Sequence, residues 1–102
     1  MQKLVRSIEE RVANTVDKEK LDIKDISLQF FNETNGKLIA DYKAKNGYIK
    51  KEDKEWTAIF DTDGDTHSFP VSYAYEVKHN EEEATLHYDY EDDEYVVLIF
   101  HW

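Results

Sequence analysis

The chain has no cysteine, which removes disulfides, thiolate metal sites and a thiol nucleophile. The usual mark of a small secreted scaffold goes with them, and a reducing cytoplasm is the expected compartment. Glycine occurs three times, too few for a Gly-rich phosphate loop, and there is no Gly-x-Ser-x-Gly or His-Glu-x-x-His. No stretch approaches the ~18 apolar residues of a membrane span. The opening Met1-Gln-Lys-Leu-Val-Arg6 reaches charged Glu9-Glu10-Arg11 before an apolar signal region can form, so neither leader nor span is expected. Basic residues are scarce in the second half. Residues 1–50 carry ten Lys/Arg against eight Asp/Glu, whereas residues 51–102 carry three Lys against fifteen Asp/Glu, a net −12. A field of that sign repels nucleic acid and anionic lipid and speeds encounters with basic partners.

What the chain does have is aromatic area. Seven Tyr, five Phe and two Trp in 102 residues give enough apolar surface to offset chain entropy, which disordered chains of similar charge lack. The length suits one domain, 1–102. Leu4, Ile8, Val12 and Val16 recur every four residues opposite Arg6, Glu9 and Glu10, predicting one amphipathic helix over about 2–16. Asp17–Asp22 reads as a polar connection. From Asp25 the period becomes two, and six alternating runs follow, at about 25–31, 37–44, 55–62, 66–79, 84–90 and 95–102. The segment 45–55 reads as the longest polar loop. The fold class is therefore α+β: one N-terminal helix on a curved antiparallel meander of about six strands.

Turn chemistry sets the registers. A three-residue loop Thr34-Asn35-Gly36, with Gly36 in the left-handed region, places Phe30 opposite Ala40 and Leu28 opposite Tyr42, and Asp63-Gly64 as a two-residue turn places Phe60 opposite His67, Ala58 opposite Phe69 and Trp56 opposite Val71. A turn at Asn80–Glu83 sets Val77 against Leu86, Tyr75 against Tyr88 and Tyr73 against Tyr90. A four-residue turn Glu91–Glu94 sets Tyr88 against Val97 and Leu86 against Ile99. Tyr75 and Leu86 are then core residues. Pro70, inside the fourth run, must aim its nitrogen at an open edge. The last run, Tyr95–Trp102, is apolar at nearly every position, so both of its faces should be covered.

Few constellations suggest chemistry. Asp61, Asp63 and Asp65 mimic the start of a calcium loop, but Thr66 and Ser72 stand where a Gly and a bidentate Glu are needed. His79 and His101 should flank Ala84 on one face, with no carboxylate there to complete a zinc site. No catalytic residue, metal or cofactor is expected, and the chain reads as a non-enzyme.

The acidic surface remains: Glu81, Glu82 and Glu83 at one turn, Asp89 and Tyr90 leading into Glu91, Asp92, Asp93 and Glu94 at the next, and Glu76 facing His87 across strands. Tyrosines punctuate the densest run, Tyr88-Asp-Tyr-Glu-Asp-Asp-Glu-Tyr95, and aromatic anchors in an acidic rim suit a cationic cleft. These features resemble, in kind, the bacterial immunity proteins and antitoxins that neutralise nuclease toxins. That resemblance implies a small acidic inhibitor, a monomer or weak dimer, that occludes a basic protein partner. Two other readings stand beside it. One is a small-molecule module with a pocket between helix and sheet lined by Tyr42, Trp56, Phe69, Tyr73 and Tyr75. The other is a phage-encoded DNA mimic, less favoured because the carboxylates cluster at turns. Helix followed by curved meander also resembles cystatin- or monellin-type architecture.

Overall fold

The computed structural model describes residues 2–17 and 19–102; of the expected 17–22 connection, Lys18 lies outside the described residues. Helix α1 spans Gln2–Ala13 and buries Leu4, Ile8 and Val12. It stops three residues earlier than the periodicity predicts because its polar residues cap it. Asn14 Nδ2 donates to the Glu10 carbonyl at 3.0 Å and Thr15 Oγ1 to the Val12 carbonyl at 2.7 Å, and such bonds compete with helix continuation. Val16, the fourth member of the expected stripe, is fully exposed.

Seven strands follow: β1 Lys20–Asn32, β2 Leu38–Glu52, β3 Glu55–Thr62, β4 Asp65–Pro70, β5 Glu76–His79, β6 Glu83–Asp89 and β7 Glu94–His101. Their order in one antiparallel sheet is β4-β3-β2-β1-β7-β6-β5. The expected meander is thus two meanders, β1–β4 and β5–β7, joined where β7 pairs with β1. The start of β1 absorbs half of the supposed 17–22 connection, Lys20, Leu21 and Asp22. The polar loop expected at 45–55 is mostly strand. Ile49 is fully buried against Leu21 and Ala58, and Gly47 lies so close to its neighbours that an added Cβ would sit 2.7 Å from the Ile59 carbonyl oxygen. Lys50 points to the opposite face, Lys51 lies at the rim of the inner face with its Nζ 5.6 Å over the Trp56 ring, and only Asp53-Lys54, both with positive φ, turn the chain.

The core is continuous from α1 across the inner face of the sheet, through Ile23, Ile26, Leu28, Ala58, Phe60, Leu86, Val96, Leu98 and Phe100. Ile23 and Ile26 both point inward although three apart. Asp25, in the left-handed region at φ 49°, supplies the irregularity that resets the alternation.

The first two hairpins keep their expected pairs, Phe30–Ala40, Leu28–Tyr42, Phe60–His67 and Ala58–Phe69. In the first, a bulge between Phe30 and Phe31 accommodates a turn longer than three residues. In the second, Asp63 and Gly64 have φ of 48° and 86°, as a type I′ turn requires. Trp56 does not pair with Val71, because the fourth run breaks at Pro70 into a 3-10 turn, Val71–Tyr73. Counting outward from the two-residue turn, Pro70 falls opposite Thr57 at a non-hydrogen-bonded position, so its nitrogen faces the open edge. Val77 does face Leu86, but neither Tyr75 nor Tyr73 enters the ladder. The break cancels the parity carried from the fourth run. Tyr75 is 55% exposed rather than core, while Leu86 is fully buried.

The β6–β7 register differs by one residue from expectation. Tyr88 faces Val96 and Leu86 faces Leu98, because Glu94 leaves the expected turn and starts β7, its carbonyl accepting from the Tyr90 N–H, with Asp93 at φ 62° in the turn. A one-residue slip exchanges faces, so Val96, Leu98 and Phe100 point inward, and Val97 and Ile99 outward. His101 then faces Glu83 while His79 faces Ala84, and the two histidines lie on opposite faces.

The sheet curls tightly. In a flat seven-stranded sheet β4 and β5 would lie about 29 Å apart, yet the few residues between Pro70 and Glu76, one turn of them 3-10, span at most about 20 Å. The ends of the sheet are therefore drawn together into a seam that no strand pairing closes. One hydrogen bond bridges it: Tyr88 Oη on β6 donates to the Pro70 carbonyl on β4 at 3.0 Å, with the Phe69 ring 5.2 Å from that of Tyr88.

Candidate functional site

The acidic residues singled out from sequence fall into two groups at opposite ends of β6, about 20 Å apart along the strand. The structure does not bring them together. Glu81, Glu82 and Glu83 lie beside α1, and their turn is held by internal contacts. Asn80 Oδ1 accepts from the Glu82 and Glu83 N–H groups, Arg11 Nη2 donates to the Glu81 carbonyl, and the Arg11 guanidinium lies 4.4 Å over the Trp102 ring. Glu83 faces His101 with a nitrogen–oxygen distance of 3.3 Å. This turn reads as an anchor for the helix and β7.

At the other end, Asp89, Tyr90, Glu91, Asp92, Asp93 and Glu94 form a continuous surface. The turn is built by bonds from the Glu94 N–H to the Glu91 carbonyl and from the Tyr90 N–H to the Glu94 carbonyl. It abuts the β1–β2 turn through a 2.6 Å bond from the Glu33 N–H to the Asp93 carbonyl, which adds a carboxylate that sequence reading missed. Among the described residues, no Lys, Arg or His lies within ion-pair distance of Asp89, Glu91, Asp92, Asp93 or Glu94.

Aromatic side chains frame this end on both faces of the sheet. On the outer face Phe31 stacks on Tyr95 at 5.2 Å, Tyr95 on His87 at 6.4 Å, and Tyr75 leans on His87 at 6.1 Å. Glu76 lies 3.8 Å from His87 across the β5–β6 pair, as its register predicts. Burial first, then the nearby Asp89, Tyr95, Glu76 and Glu33, hold the Tyr75 hydroxyl above its ordinary value of 10.0. On the inner face the Tyr90 ring sits edge-on to Phe30 at 5.1 Å. Beside it the seam opens into a depression of about 600 Å³, with Ser68, Phe69 and Pro70 on one bank, Tyr88, Asp89 and Tyr90 on the other, and Tyr73 and Val96 completing it.

Of the five residues expected around a small-molecule pocket, Phe69 and Tyr73 line this depression; Tyr42, Trp56 and Tyr75 do not. Ser68, Pro70 and Val96 were not among those expected, because the seam depends on the curl of the sheet. The hairpin aspartates are organised by the turn itself, with Thr66 Oγ1 donating to Asp61 Oδ1 at 2.6 Å. No cluster of three or more His, Asp or Glu side chains able to hold a metal occurs among the described residues, and no described helix is long and apolar enough to cross a membrane.

Comparison with known proteins finds no matching family model, no matching curated protein and no matching solved structure.

Proposed function

We propose that this chain is a small protein-binding inhibitor that docks a basic protein through the end of the sheet carrying Asp89, Tyr90 and Glu91–Glu94; in its most concrete form it is an immunity protein or antitoxin that occludes the cationic cleft of a nuclease toxin. One observation carries the reading. Five carboxylates without a cationic neighbour among the described residues stand beside Tyr73, Tyr75 and Tyr90, which are 71%, 55% and 53% exposed. Exposed carboxylates supply steering, and half-exposed aromatic rings supply area that becomes buried on contact. Glu76 and Tyr75 extend the surface onto the outer face. Glu81–Glu83 stand apart from it and act in long-range attraction only.

The test begins with the partner recovered on the full-length chain from its native host. Raising salt to physiological strength shortens the Debye length to about 8 Å, so association should slow while dissociation changes little. Replacing Asp92, Asp93 and Glu94 together by Ser should slow association further without lowering stability, since exposed turn carboxylates contribute little to the fold. A triple variant that binds as fast and as tightly as wild type would reduce the acidic end to a solubility feature.

A further inference from the structure

We infer that the seam depression between β4 and β6 is a receptor for an arginine side chain of the basic partner. The inference rests on the protein-binding reading above and identifies the partner group that the site would grip. The depression combines three properties. Its floor is apolar, made by Phe69 and Val96, and the one hydroxyl there, Tyr88 Oη, is already spent on the Pro70 carbonyl. Its rim carries two tyrosine rings held from behind. Tyr90 is braced edge-on by Phe30, and Tyr73 projects from a linker pinned by buried Val71 and Ala74 on either side. At its mouth lie Asp89 and, beyond it, Glu91–Glu94, with no cation paired to any of their carboxylates among the described residues.

An apolar floor alone would suit many ligands. The unneutralised charge at the mouth selects a cation, and exposed π faces at the rim select one that stacks. Guanidinium is planar, weakly hydrated and able to pair with a carboxylate through two N–H groups while lying on an aromatic face. An ammonium is compact and strongly hydrated, and loses more on entering such a groove. The chain already makes the contact once within itself, where the Arg11 guanidinium lies 4.4 Å over Trp102.

The experiment titrates the ¹⁵N-labelled full chain with a hexa-arginine and a hexa-lysine peptide at low ionic strength. Hexa-arginine should bind about fivefold or more tightly than hexa-lysine, the effect of a cation–π contact of about 1 kcal/mol, and should move the amide signals of Tyr73, Asp89 and Tyr90. Tyr73→Ala, at a position too exposed to disturb folding, should weaken hexa-arginine several-fold and hexa-lysine far less, and Tyr73→Phe should restore it. The Asp92/Asp93/Glu94→Ser variant should weaken both peptides equally. If it weakens both while Tyr73→Ala and Tyr90→Ala leave hexa-arginine binding unchanged, the arginine receptor is refuted and the acidic-surface reading survives. If neither peptide binds the wild-type chain, that reading falls as well.

Discussion

Among the described residues the hydroxyl of Tyr88 is the one polar link across the seam, and removing it tests how the curled sheet is held. Tyr88→Phe deletes the 3.0 Å bond to the Pro70 carbonyl and leaves the ring against Phe69 in place. A neutral hydrogen bond contributes about 0.5–1.5 kcal/mol net, and a carbonyl stranded without a partner costs about 1–3 kcal/mol more when fully buried. Pro70 is half-buried, so the low end of the second range applies and the total is about 1–2 kcal/mol. With a urea m-value of roughly 1–2 kcal/mol/M, the midpoint should fall by about 1 M, readable by tryptophan fluorescence. The same hydroxyl sets an alkaline limit. Burial pushes its pKa up from 10.0, so the unfolded chain loses this proton first as pH rises. Its contribution is complete below pH 10 and drains away above it, toward the higher folded value. Wild-type stability should therefore fall steeply above pH 10, and Tyr88→Phe should flatten that fall, leaving the smaller share due to Tyr75. A variant with an unchanged midpoint and an unchanged alkaline fall would show that the seam is held by packing alone.

The β6–β7 register predicts that Leu98→Ala, at a fully buried position, costs about 2–5 kcal/mol. Ile99→Ala on the outer face should cost about 1 kcal/mol, and the reverse order in denaturation midpoints would restore the register expected from sequence. Gly47→Ala drives a methyl against the Ile59 carbonyl and Ile26 Cδ1, so a net loss of about 1–2 kcal/mol is expected despite the stiffer unfolded chain. A stabilised variant would show that β2 is free to move away from β3. Asp61→Asn with Asp65→Asn should leave the melting temperature nearly unchanged, with or without millimolar calcium, because the Asp63-Gly64 turn needs neither charge. A calcium-dependent rise lost in the double variant would mean that the loop binds the ion.

The sequence disclosed those features that local chemistry determines. Asp63-Gly64 and Gly36 announced their turns, and the alternation around Leu28, Ala58 and Leu86 located the inner face. What it concealed has three physical origins. Tyr95–Phe100 is apolar on both sides, so period-two reading could not tell Leu98 from Ile99, and the parity was settled by how many residues the preceding turn consumed. Around Lys45–Lys51 three lysines outnumber the one buried apolar side chain, Ile49, and Gly47 is a core position without a side chain to show it. The pairing of β7 with β1 is long-range and leaves no local trace. For the candidate site, the run Asp89–Glu94 was visible as composition. Its neighbours Glu33 and Phe30 were not, because they arrive through the contact between two turns and the edge-on ring pair; Tyr73 was expected at a pocket, but its place beside this run depends on the curl that brings the sheet's ends together.

The position of β7 also governs when the molecule can form. Its pairs with β1 run from Asn32–Glu94 to Lys24–His101, so the joint between the two meanders is the contact of longest sequence separation in the sheet. On the ribosome, β1 to β4 can pair as soon as they emerge, but one edge of β1 stays bare until Glu94–His101 is free. A bare edge with an aromatic inner face is an invitation to pair with another nascent chain. Contacts of such high order also slow folding into the millisecond-to-second range typical of β-rich domains. Crowding of nascent chains is then expected to lower yield through this edge, and slower or cooler synthesis to recover it.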